Sequence, residues 1–225
     1  EGQWHLEEQY LLTLSDGEEH LALRVEPLPS ENRLIGNRYI ASVGYAINNM
    51  FITDWNRDDF GKLDFYDIFQ VFYQENYGKQ FPYVMSADLS VGAEYRISAK
   101  EFEEVVTTHI PVAAEALRES LRYDSQDNCY LFRPRGYREF DYPDIPYPEV
   151  ISCKANEDGS VTLTVRAVYP SDNTADLFTH RVTLREQDGK VFYESNEIID
   201  VESIDTRWHA DRFTDEEWEA FYSAE

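Results

Sequence analysis

The last third of the chain alternates apolar and polar residues as half-buried β-strands do. Two runs place every second residue on one face: Val161, Leu163, Val165 and Ala167 in the first, and Phe178, His180, Val182 and Leu184 in the second. Asp158-Gly159 precedes the first run and Asp188-Gly189 follows the second. Asp-Gly dipeptides readily adopt the positive φ angles of tight hairpin turns. The pattern predicts an antiparallel meander from Glu149 to Ile199 with one face toward the core.

Helical spacing is the dominant pattern in the middle of the chain. Apolar residues recur every three or four positions in two segments: Ile40, Val43, Ile47 and Met50 between Arg38 and Phe51, then Phe65, Ile68, Phe69 and Phe72. The spacing predicts two amphipathic helices. Asp64 is placed to cap the second, and Asp67 adds negative charge near its N-terminus, where the helix dipole favours it.

Further elements follow from capping and turn residues. Ser98 with Glu101 is a capping box that predicts a helix from Ala99 to Thr107, and Pro111 suits the first turn of a helix from Val112 to Leu121. Thr214 with Glu217 predicts a short C-terminal helix. Residues 10–25 have the pattern of a β-hairpin, and residues 77–95 are expected to be loop with one short strand.

This order of elements favours an α+β fold in which helices pack on one face of a curved antiparallel β-sheet. A cone-shaped sheet around helices, as in nuclear transport factor 2-like (NTF2-like) or cystatin-like folds, is one such arrangement for the C-terminal part. The chain divides into residues 1–95, with the hairpin and a helical segment, and residues 96–225, with a helix pair, the meander and a short helix. The Pro-Tyr-rich segment 142–148 is either a linker or a crossover within one compact domain.

Composition narrows the classes of partner. The chain has 225 residues, of which 42% are hydrophobic, so it can build a packed core. Its formal charge of -24 argues against nucleic acid and anionic membrane surfaces as partners. No apolar run reaches the roughly 18 to 20 residues of a membrane-spanning segment. The chain begins with Glu1, so we expect that it has been processed, and a signal peptide or lipid anchor would leave no trace here.

The two cysteines lie in successive strand-like runs, Cys129 in 128–132 and Cys153 in 149–153. A shared inward face would bring them within reach of a disulfide bond. The alternative is two buried free thiols that behave as small apolar groups. The sequence leaves both open.

Several stretches together resemble a known family. They are 146–150, 156–170, 178–184 and 193–196, with a helical block from Tyr95 to Asp124 before them. This part of the chain is similar to an uncharacterised family of exported, often lipoprotein-type proteins from Gram-positive gut bacteria. The resemblance covers roughly the last 130 residues and implies an extracellular or cell-envelope location. It implies no activity and no catalytic residues.

Two features could serve a binding site. His180 shares an apolar strand face, so it is a candidate ligand-binding residue if the sheet lines a pocket, or else a core histidine satisfied by a neighbouring hydrogen bond. Asp54, Asn56 and Asp58 begin like a calcium-binding EF-hand loop, but Asp59 stands where Gly is expected and Phe65 where Glu is expected. These three residues are candidates for an irregular calcium site, and a solvated loop is the alternative.

The leading hypothesis is a non-enzymatic exported protein that binds an unknown protein or small ligand at the cell envelope. The chain contains no H-E-x-x-H, no G-x-S-x-G and no Gly-rich phosphate loop, and we expect no cofactor. A hydrolase that uses a carboxylate pair is the second hypothesis, since 44 acidic residues offer many pairs. A structural envelope component is the third, and 16 tyrosines could also form an aromatic recognition surface.

Overall fold

The computed structural model describes residues 28–79, 81, 94–133, 145–169, 174–201, 204, 208–209 and 212–222, with backbone only for residues 169, 174–176 and 222. The hairpin expected in residues 10–25 and the start of the Pro-Tyr-rich segment, residues 142–144, lie outside these ranges.

The described residues form helices and two antiparallel sheets, which confirms the α+β fold class. The helices are α1 (Ser30–Gly36), followed at once by a π-helical turn (Asn37–Ala41), α2 (Phe65–Tyr77), α3 (Ala99–His109), α4 (Ala114–Ser120) and α5 (Asp215–Tyr222). The strands are β1 (Tyr95–Ser98), β2 (Tyr123–Asp124), β3 (Cys129–Phe132), β4 (Tyr147–Ala155), β5 (Val161–Tyr169), β6 (Thr174–Gln187) and β7 (Lys190–Ile198).

The larger sheet is the predicted meander, with strands in the order β4-β5-β6-β7. Both Asp-Gly dipeptides lie in turns between adjacent antiparallel strands, as predicted. Asp188 and Gly189 both have positive φ, 51° and 77°, which is the backbone of a type I′ turn. In the β4-β5 turn, Gly159 has positive φ and Asp158 does not. The Asn156 N–H group donates to Ser160 O, as in a type I turn followed by a bulge.

The two faces of the meander differ as the alternation predicts. Leu163, Val165 and Ala167 on β5 are fully buried, and Phe178, Val182 and Leu184 on β6 are at most 1% exposed. Register shifts interrupt all three strand pairs, and such bulges bend a sheet and increase its twist. Each strand pair therefore contains a local cause of bending.

The smaller sheet has the order β1-β3-β2 and contains Cys129, whereas Cys153 lies on β4 of the meander. Both thiols are free, Cys129 buried and Cys153 exposed. The pair therefore matches neither arrangement that the sequence left open, because the two cysteines lie in different sheets and only one of the free thiols is buried. The reason is that the chain leaves β3 and starts a second sheet with β4, so successive strand-like runs are not paired neighbours.

The helix predicted from Arg38 to Phe51 is shorter and lies earlier. The helical backbone runs from Ser30 through the π-helical turn and ends at Ala41. Gly44 then takes φ +69°, and the buried Asn48 amide donates hydrogen bonds to Val43 O and Gly44 O, so residues 42–53 fold as turns. Val43 and Met50 are apolar because the turns that carry them pack against the core, where both side chains are buried. Their spacing therefore does not indicate a helix.

The other predicted helices are confirmed, with small changes in their ends. The side chain of Ser98 accepts a hydrogen bond from Glu101 N at the start of α3. Thr214 N–H donates to Glu217 Oε2 while Glu217 N–H donates to Thr214 Oγ1, so the capping box of α5 is complete. Helix α4 begins at Ala114 rather than Val112, which places Pro111 before the helix instead of in its first turn.

One aromatic-rich core joins the helices to both sheets. Phe69 of α2 stacks on Phe102 of α3 at 4.8 Å between ring centroids, and Phe102 stacks on Tyr130 of β3 at 4.4 Å. On the meander side, the ring of Phe72 lies parallel to that of His109 at 4.0 Å. Within the described ranges, no helix has the length and apolar character needed to cross a bilayer.

Candidate functional site

A cavity of about 330 Å³ lies beside the first turn of α2. Residues from the preceding loop, the start of α2, the end of α4 and the segment before α5 line it: Asn49, Gly61, Lys62, Leu63, Asp64, Phe65, Tyr66, Asp67, Leu121, His209 and Arg212. Small-molecule sites are commonly concave and begin at about this size. The lining combines apolar side chains with charged groups of both signs, so the cavity is the strongest candidate for a binding site among the described residues.

The loop before α2 is held in place by side-chain hydrogen bonds to its backbone. Asn49 Nδ2 donates to Lys62 O over 2.6 Å, and Asp64 N–H donates to Asn49 Oδ1 over 3.1 Å. Asp64 then caps α2, because its Oδ1 accepts from Tyr66 N and Asp67 N. This wall of the cavity is therefore formed before any ligand arrives.

Arg212 ties the segment before α5 to this helix start. Its guanidinium donates to Asp64 Oδ2 over 3.1 Å, and also to Asp67 Oδ1 and to the carbonyl oxygen of Arg133. The Arg212 side chain is 11% exposed and that of Asp67 is 2% exposed, so water screens this ion pair little. Arg212 also lies over the rings of Tyr66 and Phe132, at 5.6 and 5.3 Å from their centroids.

Tyr66 and His209 contribute polar groups to the lining. The Tyr66 hydroxyl accepts a hydrogen bond from Arg122 N at 3.1 Å, and burial raises the pKa of Tyr66 to about 12. The hydroxyl therefore keeps its proton at neutral pH and can donate. His209 Nδ1 lies 3.2 Å from Tyr45 O, and since a carbonyl only accepts, Nδ1 is the protonated nitrogen.

The formal charges of the described lining residues balance. Asp64 and Asp67 carry the negative charges and Lys62 and Arg212 the positive ones. Arg212 is engaged by both carboxylates, whereas the Lys62 side chain is exposed and forms no ion pair with another residue of the described ranges. Within a chain of charge -24, a described lining with no net formal charge suits a neutral or zwitterionic polar ligand.

His180 lies in the core and contributes to neither of the two described cavities. It is fully buried, with its Nδ1 2.7 Å from Asn196 Oδ1 and its Nε2 2.9 Å from the Tyr45 hydroxyl. Burial lowers its pKa to about 4, so the ring is neutral at physiological pH. Both ring nitrogens are already bonded, which corrects the expectation of a ligand-binding histidine: the alternative of a satisfied core histidine describes it.

The side chains of the acidic loop accept hydrogen bonds from backbone amides, one of them on β7. Asp54 Oδ1 accepts from Ile198 N at 2.7 Å, Asn56 Oδ1 from Asp58 N at 2.8 Å and Asp59 Oδ1 from Gly61 N at 3.0 Å. In the part of the chain that the structure describes, no three His, Cys, Asp or Glu side chains come together as metal ligands. The calcium site of Asp54, Asn56 and Asp58, one of whose members is an amide, stays a prediction.

Sequence reasoning identified Asp64 and Asp67 but only as capping and dipole residues. It missed Arg212, which lies 145 residues from Asp67 along the chain. It also missed Lys62 and His209, which stand in no motif. One feature of the sequence could have predicted this site. An Asp at the N-cap of a helix and another at its third position place two carboxylates side by side, and such a pair can bind a guanidinium.

The comparison with protein families matches residues 1–212 to a family of unknown function, DUF6070. The chain belongs to this family. This membership confirms the resemblance to an uncharacterised family. Neither curated proteins nor solved structures give a match, so the NTF2-like and cystatin-like folds stay predictions.

Proposed function

We propose that this member of the DUF6070 family is an exported protein of the cell envelope that binds a small polar ligand beside the start of α2 without transforming it. The observation that supports binding is the 330 Å³ cavity, with its prearranged wall and balanced charges. Export is supported by the resemblance to lipoprotein-type proteins, which rests on the sequence. The ligand class follows from the lining: a neutral or zwitterionic molecule with several hydrogen-bonding groups.

The hydrolase hypothesis has one feature in its favour, the Asp64 and Asp67 carboxylates on the cavity wall. Both carboxylates accept hydrogen bonds from the Arg212 guanidinium, so neither is a free acid or base. Glu75 has a pKa raised by burial, as a general acid requires, but it lies in the last turn of α2 and outside the cavity lining. The geometry therefore favours binding over hydrolysis.

A thermal-shift screen with free amino acids, monosaccharides and disaccharides tests this proposal. A ligand that binds only the folded state raises the melting temperature, and above Kd the stabilisation grows with the logarithm of the ligand concentration. Lys62→Met removes the exposed ammonium at the cavity, and Lys79→Met removes a matched exposed ammonium beyond the end of α2.

We expect at least one compound to stabilise the protein, Lys62→Met to weaken that effect and Lys79→Met to preserve it. Mass spectrometry of the compound after prolonged incubation should show it unchanged. A chemically altered compound would favour the hydrolase hypothesis, and equal effects of the two lysine variants would remove this cavity as the site.

A further inference from the structure

Two arginines hold helix α5 beside the cavity at the start of α2. Arg133 directly follows β3, and its side chain is 16% exposed. Its guanidinium donates to Asp215 Oδ1 at 2.9 Å and to Glu219 Oε1 at 2.8 Å, and it lies 5.5 Å from the centroid of the Trp218 ring. Arg122, between α4 and β2, adds a longer ion pair with Asp215 at 3.8 Å. Charged contacts therefore help to hold α5 in place.

The same two arginines hold lining residues of this cavity through their backbone. Arg122 N–H donates to the Tyr66 hydroxyl at 3.1 Å, and the carbonyl oxygen of Arg133 accepts from the Arg212 guanidinium. Tyr66 and Arg212 both line the cavity. Only two residues separate Arg212 from Asp215, the first residue of α5. A displacement of α5 is therefore transmitted to two walls of the cavity by direct contacts.

Helix α5 is too short to be stable when it is released. It has 8 residues, and an isolated helix of this length does not persist in water, so docking and helix formation are one event. The Asp215 and Glu219 side chains that meet Arg133 are 61% and 62% exposed, so salt screens these ion pairs. The ion pair of Arg212 with Asp67, at 11% and 2% exposure, is screened much less.

We propose that α5 is a clasp that sets the opening of the cavity at the start of α2. While α5 is docked, Arg122 and Arg133 hold Tyr66 and Arg212 in the lining. When α5 is released, both lining residues lose this support and the cavity opens to solvent. Control of ligand entry by the clasp rests on the proposed function, whereas the coupling of α5 to the cavity walls needs no ligand.

Two variants break the clasp from opposite sides. Arg133→Met removes the guanidinium that binds α5 and keeps the backbone carbonyl that binds Arg212. Glu219→Ala removes one carboxylate from α5 itself. Glu216→Ala is the matched control, because Glu216 lies in the same helix, is exposed and forms no ion pair with another residue of the described ranges.

Two NMR measurements on the full chain follow the cavity without a ligand. The first is the exchange with water of the Arg212 Nε–H proton, which bonds Asp64 Oδ2 at 3.1 Å. The second is the relaxation of the Leu121 methyl groups by gadodiamide, a neutral paramagnetic complex that stays in the solvent.

We expect Arg133→Met to raise the exchange rate about tenfold and Glu219→Ala about threefold, because each lost ion pair favours release of α5. Both variants should also increase the relaxation of Leu121, and Glu216→Ala should change neither measurement. About 1 M NaCl should act on the unmodified chain as Arg133→Met does, and should have little further effect in that variant.

The proposal is overturned if Arg133→Met leaves both measurements as they are in the unmodified chain, or if Glu216→Ala and Glu219→Ala change them equally. If Arg133→Met fails to fold, Glu219→Ala decides, since its side chain is 62% exposed and the core is untouched. A polar-ligand screen without a hit would contradict the proposed function and would leave these measurements, and the clasp, unaffected.

Discussion

The Nδ1 atom of His180 on β6 lies 2.7 Å from the Oδ1 atom of Asn196 on the adjacent strand β7. Because an amide oxygen only accepts, Nδ1 carries the proton and Nε2 accepts from the Tyr45 hydroxyl 2.9 Å away. Asn196 in turn donates to Thr53 O at 2.8 Å. This chain of bonds joins the meander to the turns before α2 through the neutral form of the histidine.

Acid should destabilise the fold through two buried histidines. Burial lowers the pKa of both His180 and His109 to about 4, well below their ordinary value. Between that ordinary value and pH 4 the unfolded chain binds protons that the folded chain does not, so stability is complete above about pH 6.5 and is lost as the pH falls. Each histidine should cost about 2 kcal/mol between pH 7 and pH 5. Urea unfolding across this range measures it, and a flat profile would contradict the assignment.

His180→Gln separates the contribution of this histidine from the rest. At pH 7 the variant should be less stable by about 1 to 3 kcal/mol, because one or both buried hydrogen bonds are lost. At pH 5 this deficit should shrink by about 2 kcal/mol, since the variant has no ring to protonate. A deficit that is equal at both pH values would show that His180 does not titrate as described.

The ion pair of Arg212 with Asp67 should contribute much more to stability than an exposed pair. Arg212→Met removes the guanidinium from a carboxylate that is 2% exposed, which should cost about 3 kcal/mol. Arg38→Met is the matched control, because Arg38 pairs with Glu186 where the side chains are 60% and 41% exposed, and it should cost under about 1 kcal/mol. Chemical denaturation compares them, and equal costs would contradict the buried network.

The β6-β7 turn should depend on backbone conformation alone at Gly189. Its φ is +77°, and a Cβ there would meet no atom within 4 Å. Gly189→Ala should therefore cost about 1 to 2 kcal/mol from the left-handed backbone and nothing from clashes. Asp188→Asn should be nearly neutral, because Asn tolerates positive φ. A stabilising Gly189→Ala would show that the turn has another geometry.

The two cysteines should both carry free thiols, even in protein that has not been treated with a reducing agent. Ellman's reagent should detect one thiol, that of the exposed Cys153, in the native protein and two in denaturant. Cys129 needs unfolding because it is 5% exposed. Finding no thiol in denaturant without reductant would restore the disulfide that the sequence left open.

The sequence predicted those parts of the fold that neighbouring residues determine. The capping boxes at Ser98 and Thr214 and the turns at Gly159 and Gly189 act within five residues of themselves, so their pattern identifies them. The prediction of a helix from Arg38 to Phe51 was wrong, because buried turns can also place apolar residues three or four positions apart.

The candidate site was beyond sequence reasoning for a physical reason. Its charges meet only after folding: Arg212 reaches Asp64 across 148 residues, and His209 reaches Tyr45 across 164. Neither contact produces a short-range pattern in the sequence from which it could be predicted. His180 shows the converse, since its strand alternation was correct but could not reveal that Tyr45 and Asn196 occupy both ring nitrogens.

The most direct test of the proposed function is to map the best compound from the polar-ligand screen onto the protein by amide chemical-shift changes in NMR. The account predicts that the largest changes fall on residues 61–67, Leu121, His209 and Arg212, which surround the cavity at the start of α2. Changes concentrated elsewhere, or a screen in which no amino acid or saccharide binds, would contradict the claim that this cavity is the ligand site.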